Sequence, residues 1–310
     1  MRPSPFRRFA RRVVHRAALL MIGATLSAAA GPGAEAFGVP WSSLTLQASR
    51  LGSTATAQIE LEVLPAATET PKFITGSQGQ PLHPSGAVVQ KLSVVTTLDI
   101  LGGREVRFEN QLWLDPLAPA PLYLIRTRFG LKDYHQRFRF TREGVFRHQR
   151  EPASAKEIGK PPESWSRLGQ HFYLYPADRQ GCRSILESSM LIDLIAALTE
   201  NPHDATGPFC VFHKRQIHRV SVHPQAQQMV RFDYLEEKAG RVTRRTGSVS
   251  APVVSIASRP IGSYRGEVEE FLRDGSRLYL SPEDHAPLMV SGELPLIGRV
   301  EMQLKEIHLK

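Results

Sequence analysis

The chain has 310 residues, of which 41% are hydrophobic and 22% are charged. This composition is typical of a globular protein and excludes a fully disordered chain or a collagen-like fibre. The two cysteines are too few for a disulfide-dense miniprotein or a four-cysteine zinc site. The 39 basic and 30 acidic residues give a net charge of +9.

The first segment, residues 1–36, has the three parts of an export signal. Six arginines come first, an apolar run follows over 17–30, and the small-x-small sequence Ala-Glu-Ala stands at 34–36. We therefore predict cleavage between Ala36 and Phe37, which would make the mature protein periplasmic or secreted. After cleavage no segment is long and apolar enough for a stable transmembrane helix. The alternative is an uncut signal that remains as a single anchoring helix.

Most of the excess positive charge lies in this signal. It holds six of the basic residues and one of the acidic ones, so residues 37–310 carry a net charge of only +4. No block of five like charges follows the signal, and such a surface does not support a nucleic-acid partner. We expect residues 37–310 to form a single β-rich domain.

Alternating apolar and polar residues predict many β-strands in that domain. The clearest signals are the strand at 58–63 and a hairpin that joins 88–101 to 104–114 through a Gly-Gly turn. Asn110 interrupts the apolar face of the returning strand, so it lies near a sheet end or faces a cavity. Further strands are predicted at 122–129, 134–140, 145–149, 216–222, 229–235, 242–248, 277–280, 288–294 and 298–308. Their regular spacing predicts an antiparallel meander.

One segment departs from the strand pattern. Residues 183–199 carry apolar side chains at helical spacing and end before Asn-Pro, which predicts a helix of about four turns. A sheet of many strands must curl or close to hide its apolar face. The predicted fold is therefore mainly β: a large, strongly curved antiparallel sheet, as an open or half barrel, with one long helix packed on its concave face.

Two C-terminal segments carry a resemblance to a known family. Residues 278–288 read LYLSPEDHAPL and residues 295–304 read PLIGRVEMQL. They resemble the last strands of a bacterial exported family of unknown function, domain family 3108, whose mid-chain Asp-x-x-Ser segment has a counterpart near Glu187 and Ser188. The resemblance implies a layout similar to the half-barrels of lipoprotein carriers. The chain departs from the family in lacking a clear Gly-Glu and Tyr pattern at 44–64 and in having Tyr279-Leu280 where a Trp is common.

The two cysteines, Cys182 and Cys210, flank the predicted helix. A lone pair in an exported protein is a candidate disulfide. The alternative is two buried or free thiols, because the separation of the Cα atoms decides whether a bridge can form. A bridge would close a loop of about 28 residues and contribute about 3–4 kcal/mol in the chain-entropy model.

The sequence contains no recognised motif for catalysis, metal binding or a cofactor. It lacks His-Glu-x-x-His, Gly-x-Ser-x-Gly, a phosphate-binding loop and a dinucleotide fingerprint. His213, His218 and His223 recur every five residues in a predicted strand, so they alternate between faces and do not form one metal site. We expect no catalytic residue, no metal and no cofactor, and the sequence favours a non-enzymatic protein over an enzyme.

Several apolar side chains are candidates for lining a ligand cavity, with ordinary core packing as the alternative: Phe108, Trp113, Phe138, Met190 and Leu194. We expect a non-enzymatic exported protein that binds or carries an apolar or amphipathic ligand, such as a lipid or another envelope component. The alternatives are a structural or interaction protein of the cell envelope without a ligand, and a hydrolase with no recognised motif. An apolar cavity of about 300 Å³ or more favours the first, whereas three polar groups converging in one cleft favour the hydrolase.

Overall fold

The computed structural model describes residues 38–118, 120–177, 182, 185–190, 209–213, 215–261, 275–294 and 296–310. The export signal and its cleavage site between Ala36 and Phe37 lie outside these residues and stay predictions. Within the described ranges, no helix is both long and apolar enough to span a membrane.

Within the described residues, fifteen strands join one sheet. In chain order they are β1 Trp41–Arg50, β2 Ser53–Pro65, β3 Val88–Ile100, β4 Arg104–Asp115, β5 Ala120–Phe129, β6 Tyr134–Phe140, β7 Gly144–Glu151, β8 Arg167–Leu174, β9 Ile185–Glu187, β10 Phe209–His213, β11 Gln216–Lys238, β12 Arg241–Ile261, β13 Ser276–Leu280, β14 Pro287–Leu294 and β15 Gly298–Leu309. The helical elements of the described residues are short: α1 Ala66–Glu69, α2 Ala155–Ile158, and the 3₁₀ turns at Thr70–Lys72, Pro162–Ser164 and Ser188–Met190. The predicted large, mainly β sheet is confirmed.

The strands form a meander in which the first strand of the chain also pairs with the last one. Strands β1 to β8 pair in sequence order, β1 also pairs with β15, and the order continues from β15 back to β9. Strands β8 and β9 are thus the two ends of the described sheet. All neighbouring pairs are antiparallel except β9 with β10, and the additional pairing of β11 with β15 is parallel as well.

One face of the sheet carries the main apolar core. Because β10, near one end of the sheet, packs on this face of β6, we call it the concave face. Leu92, Leu112, Leu124 and Phe138 lie opposite one another on four successive strands, β3 to β6, and all are fully buried. Strand β10 packs against this ladder, with the ring of Phe212 6.0 Å from that of Phe138. Full burial of each such side chain contributes about 1.5–3 kcal/mol relative to exposure.

The opposite face of β3 to β5 carries a second, smaller core. Phe73, which follows α1, stacks on Tyr123 with ring centroids 4.6 Å apart and meets Trp113 edge-on at 5.8 Å. Trp113 and Tyr123 lie directly opposite each other on β4 and β5. Because successive side chains of a strand alternate between faces, these odd-numbered residues of the two strands point away from the concave face.

The prediction of a single long helix over 183–199 is wrong for the residues of this segment that the structure describes. Ile185–Glu187 is strand β9, and Ser188–Met190 is one 3₁₀ turn. Strand β9 pairs in parallel with Cys210–Phe212 of β10, and Cys182 is bonded to Cys210. The covalent bond and the strand pairing fix an extended backbone here, so tertiary contacts override the helical periodicity. Residues 191–199, which include the predicted lining residue Leu194, lie outside the described residues.

The two longest strands, β11 and β12, form one hairpin, whereas the sequence pattern predicted several shorter strands in this region. Strand β11 runs unbroken through Pro224, with a register shift between Gln225 and Gln228 opposite β12, and such a bulge bends a strand. The distal end of β11 then pairs with the end of β15. The pairings of β11, β12, β13, β14 and β15 therefore form a closed ring.

Candidate functional site: a cavity on the concave face

A cavity of about 400 Å³ opens on the concave side of the sheet. Its apolar wall is built from β2, β3, β4, the turn after β5, and the region from β14 to the turn that follows it: Ile59, Val94, Leu98, Phe108, Leu131, Leu294 and Leu296. Its polar lining comes from β3 to β6, the 3₁₀ turn after β9, and β10: Thr96, Asn110, Arg126, Arg128, Tyr134, Ser188, Ser189 and His213.

Strand register brings the lining residues together. Ile59 lies opposite Val94, Val94 opposite Asn110, and Asn110 opposite Arg126 on strands β2 to β5. One step further along the same strands, Thr96, Phe108 and Arg128 lie opposite one another. Because side chains alternate between the two faces of a strand, the positions of these residues place all of their side chains on the concave face. The cavity therefore lies where Asn110 and two arginines interrupt the apolar face of the sheet.

A buried polar network closes the inner end of the cavity. Arg126 Nη2 donates to Glu187 Oε1 at 3.0 Å, and its Nε donates to Asn110 Oδ1 at 3.2 Å. Ser188 Oγ also donates to Glu187 Oε1, and the Ser189 amide donates to Glu187 Oε2. Arg126 and Glu187 have side-chain exposures of 12% and 0%. A buried carboxylate with an ion-pair partner and two further donors has its charge satisfied.

The outer end of the cavity is formed around Arg128. Its Nε donates to the carbonyl oxygen of Lys132 at 2.8 Å, and its guanidinium carbon lies 4.4 Å from the centre of the Tyr134 ring. The hydrogen bond lies at an exposed position, and the neighbouring Leu296 is exposed as well. Arg128 is thus held in place at the rim of the cavity.

A pair of histidines on β10 and β11 lies at the cavity, and one of them, His213, belongs to its lining. The rings of His213 and His218 meet edge-on at 6.1 Å, and His218 Nδ1 is 3.1 Å from Ser258 Oγ. Burial lowers the pKa of His218 below its ordinary value, because the charged imidazolium is poorly solvated there.

The structure places the predicted lining residues in different environments. Phe108 lines the cavity, and Phe138 lies in the adjacent core under Arg126, whose guanidinium is 5.7 Å from the ring. Met190 is buried next to the polar network, where its Sδ accepts from the Glu187 amide at 3.3 Å. Trp113 lies on the opposite face of the sheet, and Leu194 is outside the described residues.

Trp113 belongs instead to a smaller cavity of about 340 Å³ on that opposite face. Its Nε1 donates to Glu69 Oε2 at 2.9 Å, and Lys72 Nζ donates to Glu69 Oε1 at 2.6 Å. Desolvation raises the pKa of Glu69, but these two hydrogen bonds and the positive charges of Lys72 and Lys91 together lower it more, so the pKa is lowered overall. Lys91 fills the space over Trp113 and pairs with Glu62. The charged side chains that line this cavity are thus paired with one another.

The residues that make the concave cavity polar were missed by sequence reasoning, apart from the position of Asn110. Arg126 and Arg128 look like ordinary solvent-facing residues of an alternating strand, and Glu187 fell within the predicted helix. The signal available in the sequence was spacing: Arg126 and Arg128 lie two and four positions after Leu124, so the three side chains share one face of β5.

The disulfide between Cys182 and Cys210 is confirmed, with the two Cα atoms 5.4 Å apart. Cys210 is buried in β10 and lies opposite Ile185 of β9. The bridge therefore anchors the start of the segment that delivers Glu187, Ser188 and Ser189 to the cavity.

Comparison with known proteins assigns no family. No protein-family model matches the chain, and no curated protein matches it. One solved structure that resembles it is described as a beta-barrel-like protein of domain of unknown function DUF1849 from Brucella abortus, at 10% sequence identity and a TM-score of 0.43, covering 86% of this chain and 96% of that one. A likeness this distant assigns neither family nor function, and membership of domain family 3108 stays a prediction.

Proposed function

We propose that this chain is a non-enzymatic exported protein that binds one amphipathic molecule in the concave cavity. The observation that carries the proposal is the composition of that cavity, in which an apolar wall of strand residues meets a polar lining of arginine, asparagine and serine. Its volume of about 400 Å³ lies within the range of small-molecule sites, which starts near 300 Å³.

The mixed lining favours an amphipathic ligand over a purely apolar or a purely polar one. An apolar molecule would cover Arg128 and Asn110 without offering them hydrogen bonds, and each unsatisfied polar group costs about 1–3 kcal/mol. A small polar molecule would leave Val94, Leu98 and Phe108 in contact with water. A ligand with one polar end and one apolar end avoids both costs.

The two alternatives explain the cavity less well. A structural protein without a ligand gains nothing from a cavity of this size, because unfilled apolar space costs stability. A hydrolase needs a nucleophile next to a general base that is free to take its proton. Ser188 Oγ does donate a hydrogen bond to Glu187. Both oxygens of Glu187, however, are already engaged, because Oε1 also accepts from Arg126 and Oε2 accepts from the Ser189 amide, so the carboxylate belongs to the ion pair and the turn backbone.

Export is the second part of the proposal. A disulfide persists in oxidising compartments such as the periplasm, and the Cys182–Cys210 bond supports that location together with the predicted signal. N-terminal sequencing of the protein recovered from the cell envelope would begin at Phe37. A protein that still carried residues 1–36 there would contradict cleavage.

A neutral fluorescent probe, N-phenyl-1-naphthylamine, tests the binding site. We expect saturable fluorescence enhancement with the wild-type protein and a loss of about tenfold or more in probe affinity for Val94→Phe, because the larger ring fills the cavity. Val95→Phe is the matched control: it lies next along β3 and faces the other side of the sheet. Equal binding by both variants would exclude this cavity, and no saturable binding by the wild type would overturn the proposed function.

A further inference from the structure

The two arginines of the cavity differ in how their charges are compensated. Arg126 and Arg128 lie two residues apart on β5 and both line the cavity, which separates their Cα atoms by about 6–7 Å. Arg126 is the inner one and forms the buried ion pair with Glu187. Within the described residues, Arg128 contacts a carbonyl oxygen and an aromatic ring and joins no ion pair.

We infer that the ligand is an amphiphile with an anionic headgroup, a carboxylate or a phosphate, and that Arg128 binds this headgroup at the rim of the cavity. The inference rests on the proposed function and adds the chemical class of the ligand. The described lining of the cavity has two guanidinium groups and no carboxylate, and of the two only Arg126 has an ion-pair partner among the described residues, Glu187. A guanidinium is suited to planar, bidentate recognition of carboxylate and phosphate oxygens.

The surroundings of Arg128 prepare it for this role. The bond to the Lys132 carbonyl and the contact with Tyr134 restrict the side chain, so little rotamer entropy is lost when an anion binds. A guanidinium has five N–H donors, and the carbonyl oxygen of Lys132 uses only those on one side. The remaining donors are available to a ligand.

The apolar residues indicate how the rest of the ligand would lie. Leu131 and Leu296 flank the rim, and Ile59, Val94 and Leu98 extend the apolar wall along β2 and β3. A headgroup at Arg128 keeps partial contact with water, which reduces its desolvation cost, while the tail lies along this wall. A cationic headgroup would meet the uncompensated charge of Arg128 and be repelled.

Displacement of bound N-phenyl-1-naphthylamine by four ligands with the same tail tests the inference: decanoate, decyl phosphate, decanol and decyltrimethylammonium. We expect the two anions to displace the probe at concentrations about tenfold lower than decanol, as one charged hydrogen-bonded contact predicts, and the cation to be weakest. Acetate and inorganic phosphate, which supply the headgroup without a tail, should not displace the probe at those concentrations.

Variants at Arg128 assign the effect to this residue. Arg128→Gln should lose the preference for decanoate over decanol, measured as the ratio of their displacing concentrations in the same variant, and Arg128→Lys should keep part of that preference. Arg107→Gln, which removes an arginine from the opposite face of neighbouring β4, should keep all of it.

Four results would overturn the inference. Equal displacement by decanoate and decanol in the wild type would refute an anionic headgroup while leaving cavity binding intact. An unchanged preference in Arg128→Gln would refute the role of Arg128. Displacement by inorganic phosphate or acetate at the same concentrations would indicate a simple anion site. Absence of probe binding would remove the proposed function itself.

Discussion

Arg126 on β5 and Glu187 on β9 form an ion pair across the concave face, with 3.0 Å between Nη2 and Oε1 and a sequence separation of 61. Strand β9 is one end of the described sheet, and β5 is the fourth strand from the other end. The pair therefore ties the end of the sheet to a distant strand without any backbone pairing. It also forms the inner end of the cavity, so stability and the candidate site depend on the same contact.

Loss of the Glu187 charge should be costly. Glu187→Gln leaves Arg126 without a counterion in a site where its side chain is only 12% exposed, and breaking a buried pair on one side costs about 3–5 kcal/mol. We expect a loss near the lower limit, about 3 kcal/mol, because Arg126 keeps some contact with water. Urea unfolding followed by circular dichroism measures it.

An exposed ion pair provides the control for Glu187→Gln. Asp233 accepts two hydrogen bonds from Arg244 on the long hairpin, but both side chains are more than half exposed. Asp233→Asn should therefore change the urea midpoint little, because solvent screens an exposed pair. If the two substitutions lowered the urea midpoint equally, Glu187 would not have the structural role assigned to it.

Much of the fold follows from local patterns, whereas the site depends on long-range register. The hairpin of β3 and β4 is readable because period-two alternation and a Gly-Gly turn act within one short segment. The segment around Ile185 was misread because its extended form depends on β10 and on the disulfide to Cys210, contacts that helical spacing does not reveal. The cavity needs residues such as Val94, Arg128 and Ser188 from separate strands, and their meeting depends on the curvature of the sheet.

The disulfide should stabilise both the fold and the cavity. Cys182 and Cys210 are 28 residues apart, and opening a loop of that length costs about 3–4 kcal/mol in the chain-entropy model. We expect Cys182→Ser with Cys210→Ala to lower the urea midpoint and to weaken probe binding, since Glu187 and Ser188 lose their anchor. Alkylation of the unfolded, unreduced wild type should label neither cysteine; labelling of both would mean that the bond is absent.

Two glycines on adjacent strands should respond oppositely to the same substitution. A Cβ on Gly144 of β7 would lie 2.3 Å from the carbonyl oxygen of Tyr173 on β8, whereas a Cβ on Gly169 of β8 would meet nothing within 4 Å. Gly144→Ala must push the two strands apart, which costs about 1–3 kcal/mol. Gly169→Ala should gain about 0.5–1 kcal/mol, because alanine loses less backbone entropy in a strand. Similar thermal midpoints for the two variants would contradict this close strand contact.

Stability should fall in mild acid because of a buried histidine on β6. His135 is buried, its Nδ1 lies 3.0 Å from Thr127 Oγ1, and its Nε2 has no hydrogen-bond partner among the described residues. Burial lowers the pKa of His135, Glu163 opposes this shift, and Arg137, Arg150 and His148 reinforce it. The folded state therefore takes up a proton less readily than the unfolded state, whose histidine pKa is about 6.5.

The direction of the pH effect follows from that difference. Above about pH 6.5 the imidazole is neutral in both states, so His135 contributes no pH dependence. As the pH falls below that value, protons bind preferentially to the unfolded chain, and the free energy of unfolding decreases until the lowered pKa of His135 in the folded state is reached. His148 and His218, whose pKa values burial also lowers, act in the same direction.

Urea midpoints measured from about pH 7.5 to about pH 5 should reveal this loss of stability. His135→Gln should reduce the loss, because glutamine can bond to Thr127 without taking up a proton, whereas replacing the exposed His83 with glutamine should leave it unchanged. An identical pH dependence in His135→Gln and the wild type would show that His135 is not the group responsible.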